Sequence, residues 1–427
     1  MLKNTLRWIL FPSPSAKIDS RTYKLLMIDA SGIGIANSAA PFLTVFLVQL
    51  GATNLQIGLM SSMPAFAGFL TVLFVGRFIQ HQPKLTNWAS FSVLMTYSAY
   101  FFTGLLAFFV KDGKTMVVTV LLIWAAITIP QTLMGVAYPA MLRKAAGEAG
   151  RFELTTRRWA FIGLMTTIGT AITGEALEGT KFPLNYQIAF MVLSLGGLIS
   201  FLAVRSIHFE ESVDTTVSQN VFAEFRQYFK EIRAQKPFLS FVGKRFVHFL
   251  GATLTSPVIS LYYIREVGAS ARWIGLFSTT AMATLILGYF FWLRTSRRLH
   301  SRKILLLTVF VVGLYPLLLS FTKNQFLIMS FLVIVGFFQA GIDLVFFDEL
   351  MKTIPPEHSS VFISVNMLFQ YLANAIGPLL GTALASLISL RVALIIGSSI
   401  KLIAFILFAL DHRDRTEMYA NRSDNLK

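Results

Sequence analysis

The segment GATNLQIGL at residues 51–59 returns 217 residues later as GASARWIGL at residues 268–276. Both copies place a glycine and an alanine a few residues before an Ile-Gly-Leu triplet. A proline, which kinks or ends a helix, lies ten or eleven residues ahead of each copy, at Pro41 and Pro257. This match between distant parts of the chain indicates an internal repeat.

Two further features recur in the same order in both halves. The fourth and tenth predicted helices end alike, at Ala140-Met141-Leu142 with Glu148 beyond and at Leu350-Met351-Lys352 with Glu357 beyond. The next helix of each half carries a glycine pair: Gly169 and Gly174, then Gly377 and Gly381. One such match is weak, but the shared order predicts two related halves, which a transporter uses as bundles that rock about a central site.

Composition predicts that both halves lie in a membrane. The chain is 55% hydrophobic and only 14% charged, with 40 phenylalanines and a mean hydropathy of +0.65, whereas soluble domains are about 25% charged. A spanning helix needs about 20 mostly apolar residues. Twelve stretches qualify: 23–48, 56–79, 87–109, 116–142, 158–178, 185–205, 238–264, 272–294, 303–321, 326–351, 360–387 and 391–410.

The positive charges predict the orientation. With the N-terminus in the cytoplasm, 27 of the 37 Lys and Arg residues fall on the inner side, 7 on the outer side and 3 within spans. This bias is the positive-inside pattern, and an even number of spans puts both termini in the cytoplasm, which favours the plasma (inner) membrane. The net charge of +16 therefore marks topology and attraction to lipid headgroups rather than a nucleic-acid partner.

The chain divides accordingly into five parts. Residues 1–22 form a cytoplasmic N-terminal segment, 23–205 the first six-helix bundle and 238–410 the second. The bundles are joined by a cytoplasmic linker at 206–237, where Phe222, Phe225, Phe229 and Ile232 at helical spacing predict an amphipathic helix on the inner face. Residues 411–427 form a cytoplasmic tail.

On these features the chain resembles the major facilitator superfamily over roughly residues 20–410. Gly76-Arg77 stands where that superfamily's loop motif has its glycine and basic residue, and Lys84 falls on a later basic position. The motif's usual acid is replaced by Gln80, a usual Arg or Lys by His81 and a usual glycine by Pro83, so the gating lock that the resemblance implies needs other contacts here. Gly377-Pro378 with Gly381 resembles a family antiporter pattern, but it lies in the eleventh helix rather than the fifth, so antiport does not follow.

Ionisable groups within spans are the first candidates for substrate binding or coupling, because each costs about 2.5–3.5 kcal/mol at mid-membrane. They are Asp29, Lys244, Arg245, His248 and Asp343. The repeat places Asp29 opposite Arg245, so we predict that Asp29 and the Lys244/Arg245 pair form an ion pair across the cavity in one conformation. The alternative is that these groups reach toward the headgroups. Glu175 is predicted at the outer gate or an interface.

Amides near mid-span complete the candidate pocket: Asn37, Gln131, Asn366, Gln370 and Asn374. The resemblance implies a cavity lined by helices 1, 4, 7 and 10 with helices 2, 5, 8 and 11. The alternative for each amide is a structural hydrogen bond between helices. Lys401 falls outside this cavity, and an acid of the tenth or eleventh helix is its expected partner.

No pattern of enzymatic chemistry is present in the sequence. The chain has no cysteine and 6 histidines without a His-Glu-x-x-His run, so we expect no metal and no cofactor. Gly113-Lys114-Thr115 lacks the glycine of a phosphate-binding loop, since Phe108 occupies its position.

The sequence therefore predicts an all-α, monomeric secondary transporter that moves a small solute by alternating access, with proton coupling through Asp29 or Asp343. An uncoupled facilitator is the nearest alternative. A lipid scramblase or a non-transporting membrane protein on the same fold is the other. The substrate is not predicted, because the candidate pocket mixes acids, bases, amides and aromatic residues.

Overall fold

A computed structural model describes residues 18–80, 82, 84–208, 232–295, 301–354 and 359–411. Within these residues every regular element is a helix, and we number the helices in chain order. The bounds are α1 Ser20–Asn37, α2 Ala40–Gln49, α3 Asn54–Gln80, α4 Leu85–Phe109, α5 Gly113–Ala176, α6 Leu184–Arg205, α7 Lys236–Arg265, α8 Ala271–Thr295, α9 Ser301–Ser320, α10 Gln325–Thr353, α11 Ser359–Leu387 and α12 Leu390–Leu410.

These helices agree with the predicted spans, with two differences in how they are divided. The first span is broken after Asn37, just ahead of Pro41, so that α1 and α2 share it. The fourth and fifth spans run together as α5, which is interrupted at Gly147 by a left-handed φ of 66°. Among the described residues, ten segments are long and apolar enough to cross a membrane. The other two predicted spans correspond to α3 and residues 148–176, so the helices are consistent with twelve.

The repeated segment is a helix-ending turn in both halves. Gly51 and Gly268 both have positive φ, 91° and 66°, a conformation that glycine adopts without a steric cost. After α2, the amides of Gly51 and Ala52 donate to the carbonyls of Val48 and Leu47, which is the Schellman arrangement that satisfies the last carbonyls of a helix. After α7, the amide of Ala269 donates instead to the carbonyl of Tyr263, so the repeat places a positive-φ glycine after a helix in both halves, with different hydrogen bonds.

The chain forms two compact units. The first contains residues up to Thr216 together with Tyr263–Ala283, and the second contains Val217–Tyr262 and the residues from Thr284 onward. The first unit buries large aromatic side chains of three helices, and the ring of Phe46 contacts those of Tyr186 and Phe190. The buried aromatic residues are Tyr23, Phe42, Phe46, Tyr186 and Phe190. The core of the second is likewise aromatic, with Phe238, Phe241, Trp292, Phe346 and Phe362.

Glycines set the closest helix contacts in each unit. Gly32 of α1 and Gly196 of α6 lie against each other's backbone, so that a Cβ at either one would collide with it. In the second unit, Gly377 and Gly381 of α11 lie against Thr253 and Leu254 of α7 in the same way. The Gly-Pro-x-x-Gly pattern therefore has a packing role within this unit.

The predicted segments at both ends of the chain and the linker are largely outside the described residues. Residues 1–17, 209–231 and 412–427 are not described. The domain boundaries and the amphipathic linker helix stay predictions.

Candidate functional site

Asp29 is the centre of a buried polar cluster in the first unit. Its carboxylate has no exposed surface. Arg158 of α5 forms an ion pair with it, with Nε donating at 2.9 Å and Nη2 at 2.8 Å from Oδ2. The hydroxyl of Tyr138 donates to Oδ1 at 3.0 Å, and the hydroxyl of Ser200 donates to the same oxygen. The carboxylate is therefore neutralised and hydrogen-bonded within its own unit.

The helix packing explains why these groups meet. Ser200 lies one turn beyond Gly196, and Asp29 lies three residues before Gly32, so the close glycine contact brings the hydroxyl to the carboxylate. The Arg158 guanidinium also stacks on the Tyr138 ring, 4.5 Å from its centroid.

The predicted pairing of Asp29 with Lys244 or Arg245 is corrected by these contacts, because the partner of Asp29 is Arg158. The sequence does not single out Arg158, because it is the first residue of the predicted span 158–178 and belongs by position to the cations of the preceding loop. In the structure its side chain is 5% exposed, well inside α5. An Arg at a predicted helix boundary is the one sequence signal that could have found it.

Lys244 also has a partner in its own unit. Its Nζ lies 2.6 Å from Oδ2 of Asp411, the residue that follows α12. This pair joins the first half of α7 to the end of α12.

Arg245 and His248 lie one turn apart on α7. Arg245 donates to the Oδ1 of Asn366 at 2.8 Å, and its guanidinium lies 5.1 and 5.3 Å from the ring centroids of Phe249 and Phe346. His248 is 4% exposed, and its ring stands edge-on to Phe346. Its Nδ1 has no hydrogen-bond partner in the described part of the chain.

Asp343 is an exposed carboxylate within the span formed by α10. The Tyr289 hydroxyl donates to Oδ2 at 2.7 Å, and the Gln339 amide donates to Oδ1 at 2.9 Å. Both donors are neutral. The charges of Asp343 and Arg245 attract one another, without an ion-pair contact between them among the described residues.

The structure brings only some of the candidate amides into these clusters. Asn366 contacts Arg245, and Asn37 accepts a hydrogen bond from the Tyr97 hydroxyl at 3.0 Å. The other three amides are half-buried: Gln131, Gln370 and Asn374.

The loop-motif residues lie at the end of α3 and after it. Gly76, Arg77 and Gln80 belong to this helix, but their side chains are outside what the structure describes, as is His81 altogether. Lys84 is exposed at the start of α4. The role of the motif stays a prediction.

The expected pairing of Lys401 with an acid of the tenth or eleventh helix is wrong. The lysine side chain is buried in the second unit, and Nζ donates to the backbone carbonyl of Val312 at 2.9 Å rather than to an acid. That carbonyl would accept from residue 316 in a regular helix, but Pro316 has no N–H. The lysine thus satisfies a carbonyl that the proline leaves unpaired.

Two charged clusters near helix ends were not predicted as such. Glu349 of α10 is buried and accepts from Ser301 and from Lys352, which also pairs with Asp348. In the first unit, Arg272 pairs with Glu175 at 2.7 Å.

Glu178 belongs to the same end of the first unit. Its carboxylate accepts from the backbone N–H of Arg272, and this bond together with one to Ser270 lowers the pKa of Glu178. The outer-gate role of Glu175 stays a prediction.

Comparison with known proteins bears on the family. The sequence model of the Major Facilitator Superfamily matches residues 245–425. This match lies in the second half of the chain and supports the resemblance to that superfamily. A crystal structure of a mutant of the nucleoside transporter NupG has the same fold, with a TM-score of 0.65 and 14% identity, over 91% of this chain and 99% of that one. No curated protein sequence matches the chain.

The matched family model and the shared fold support the resemblance and the all-helical membrane fold. The same two findings support a secondary transporter rather than an enzyme. Within the described residues, no group of three or more His, Cys, Asp or Glu side chains could hold a metal ion.

Proposed function

We propose that this protein is a major facilitator superfamily transporter that moves a small solute by alternating access and couples the movement to protons through Asp343. Both termini lie in the cytoplasm, and the protein acts in the plasma (inner) membrane as a monomer. The observation that supports the coupling proposal is that Asp29 and Asp343, the two carboxylates within spans, have different kinds of partner.

Asp29 is poorly suited to gain and lose a proton. Protonation would remove the negative charge that neutralises Arg158, and a single buried charge left without its partner is strongly destabilising. Asp29 therefore holds its helices together in our proposal, and it stays ionised throughout the transport cycle.

Asp343 has the properties that a coupling carboxylate needs. Its hydrogen-bond donors, Tyr289 and Gln339, are neutral, so a proton on Asp343 leaves no ion-paired cation without its partner. The carboxylate is also exposed within a span, where an ionised acid marks a substrate or proton path. Arg245 is the charged group that it attracts. A proton that neutralises Asp343 thus changes the balance between two conformations.

The test is transport by the full-length protein in proteoliposomes, using labelled nucleosides, sugars, amino acids and organic anions. We expect one class to accumulate when an inward proton gradient is imposed. Asp343→Asn keeps the shape of the side chain but cannot ionise. We expect this variant to lose gradient-driven accumulation, down to the uptake seen without a gradient, and to retain exchange of labelled for unlabelled substrate.

The matched control is Asp112→Asn, which replaces an exposed acid ahead of α5 by another good helix-capping residue. It should leave accumulation unchanged. If Asp343→Asn accumulates substrate as the wild type does, coupling through Asp343 is wrong. Uptake that never responds to the gradient would support the facilitator, and transbilayer movement of labelled lipid without solute uptake would support the scramblase.

A further inference from the structure

The Arg245 guanidinium is a cation within a span that makes no ion-pair contact in the described part of the chain. It is half-buried within a span, and its hydrogen bond in the structure goes to a neutral amide, that of Asn366. Its Nε is buried without a partner. No acid in the described residues lies within ion-pair distance of it. Arginine has five N–H donors, so most of the hydrogen-bonding capacity of Arg245 is unused.

Three other cations within the spans have partners in the protein. Arg158 is paired with Asp29, Lys244 with Asp411, and Lys401 donates to the Val312 carbonyl. A charge inside a membrane is costly unless it is paired or serves a function. Among the described residues, Arg245 has only the more distant carboxylate of Asp343 as a counter-charge, so a direct ion-pair contact has to come from another molecule.

The surroundings of Arg245 suit a flat ligand that carries one anionic group. The rings of Phe249 and Phe346 lie beside the guanidinium and limit its movement. Phe346 belongs to the buried core, whereas the half-buried Phe249 provides apolar contact area beside the cation. His248 is the second unused group, since its buried Nδ1 has no partner in the part of the chain that the structure describes. A planar guanidinium binds carboxylate or phosphate groups through two parallel hydrogen bonds.

We propose that Arg245 binds the anionic group of the transported solute, which makes the substrate a small organic carboxylate or phosphate ester. The half-buried ring of Phe249 contacts its apolar or aromatic part. This inference rests on the proposed transport function, because it assigns the substrate class of that same protein. The alternative is that the solute is neutral and that Arg245 serves only to attract Asp343. The test has to distinguish this alternative from the anion site.

The experiment measures ligand binding without any gradient. Purified full-length protein in detergent is titrated with three pairs of probes, and the midpoint of thermal unfolding is followed. The pairs are benzoate and benzamide, nicotinate and nicotinamide, and uridine monophosphate and uridine. Within each pair the two molecules differ in the anionic group, and the pairs separate carboxylate from phosphate.

We expect at least one anion to raise the midpoint while its neutral counterpart does not. Arg245→Gln should weaken that anion's apparent affinity at least about tenfold, since it removes a charged donor, and Arg245→Lys should restore part of it. The matched control Arg391→Gln, which removes an exposed arginine at the start of α12, should bind as the wild type does. The midpoint without ligand shows whether each variant is folded.

The proposal is overturned if no anion of the panel shifts the midpoint, if a neutral probe shifts it equally, or if the shift persists in a folded Arg245→Gln protein. Its failure is distinct from that of proton coupling. Anion binding that depends on Arg245, without gradient-driven uptake, would refute only the coupling. Gradient-driven uptake of a neutral solute by Arg245→Gln would refute only the anion site.

Discussion

Two aspartates of the same chemical type have different surroundings in this transporter. Asp29 is fully buried and accepts from a guanidinium and two hydroxyls. Asp343 is exposed and accepts from a hydroxyl and an amide. The sequence predicts that both lie within spans, but it does not indicate which residues are their partners. Partners depend on which helices are neighbours and how they are rotated, and a single sequence does not fix this.

The ion pair of Asp29 with Arg158 gives a prediction at the residue scale. Asp29→Asn leaves the buried guanidinium without a counter-charge, which costs about 3–5 kcal/mol for a buried pair. We expect a large fall in the thermal unfolding midpoint for this variant. The double variant Asp29→Asn with Arg158→Gln removes both charges and should recover much of the loss, as measured by tryptophan fluorescence in detergent. Strictly additive losses would contradict the pairing.

At the scale of the helix, the apolar stretches predict most of the structure. Predicted limits of 87–109 and 185–205 correspond to α4 at Leu85–Phe109 and α6 at Leu184–Arg205. They agree because lipid requires a continuous apolar run of nearly fixed length. The predicted spans agree less well with the structure at the break between α1 and α2 and at the start of the fifth span. Hydropathy does not register a local backbone break, nor an arginine that is buried by its partner.

Lys401 shows how an element can depend on a distant side chain. Pro316 removes the hydrogen bond that would hold the Val312 carbonyl within α9, and Lys401 of α12 replaces it. Ser398, about one turn away, donates to the next carbonyl, that of Gly313, at 2.6 Å. Sequence analysis expected an acid as the partner because a cation in a span is normally paired with one. A proline four residues beyond a carbonyl is the signal that was available.

This arrangement predicts that Lys401 and Pro316 are coupled. Lys401→Met should lower stability by about 1–3 kcal/mol, because it leaves a buried carbonyl unpaired. In a Pro316→Ala background, residue 316 supplies its own N–H, so the same substitution should cost clearly less. The measurement is unfolding of the four purified proteins, with Lys303→Met as an exposed control. An equal cost in both backgrounds would contradict the proposed role of Lys401.

For the whole molecule, the repeat is visible in packing as well as in sequence. Gly169 of α5 lies against Ser38 at the α1–α2 break, and Gly377 of α11 lies against Thr253 of α7, near the corresponding position of the repeat. Each contact is internal to its own unit. The matching glycines thus have similar packing roles, since close helix contacts at glycine tolerate no side chain, and the division into two bundles stays a prediction. The chemistry of each bundle was less predictable, because the repeat does not preserve the charged residues.

Orientation in the membrane is the prediction that concerns the whole chain. With Arg158 counted inside a span, 26 cations remain on the inner side against 7 on the outer side, which still favours cytoplasmic termini. The chain has no cysteine, so single cysteines can be labelled without background. In intact cells, a membrane-impermeant maleimide should label Lys181→Cys and Lys323→Cys, which lie between spans on the predicted outer side.

Lys3→Cys and Lys427→Cys should react only after the cells are permeabilised, because both ends of the chain are predicted inside. Lys181 and Lys323 are exposed in the structure, so failure to label them could not be attributed to burial in the protein. Labelling of either terminus in intact cells would reverse the inner and outer assignments or require an odd number of spans. An odd number would also conflict with two repeated halves of the same orientation, so this one measurement tests the charge pattern and the repeat together.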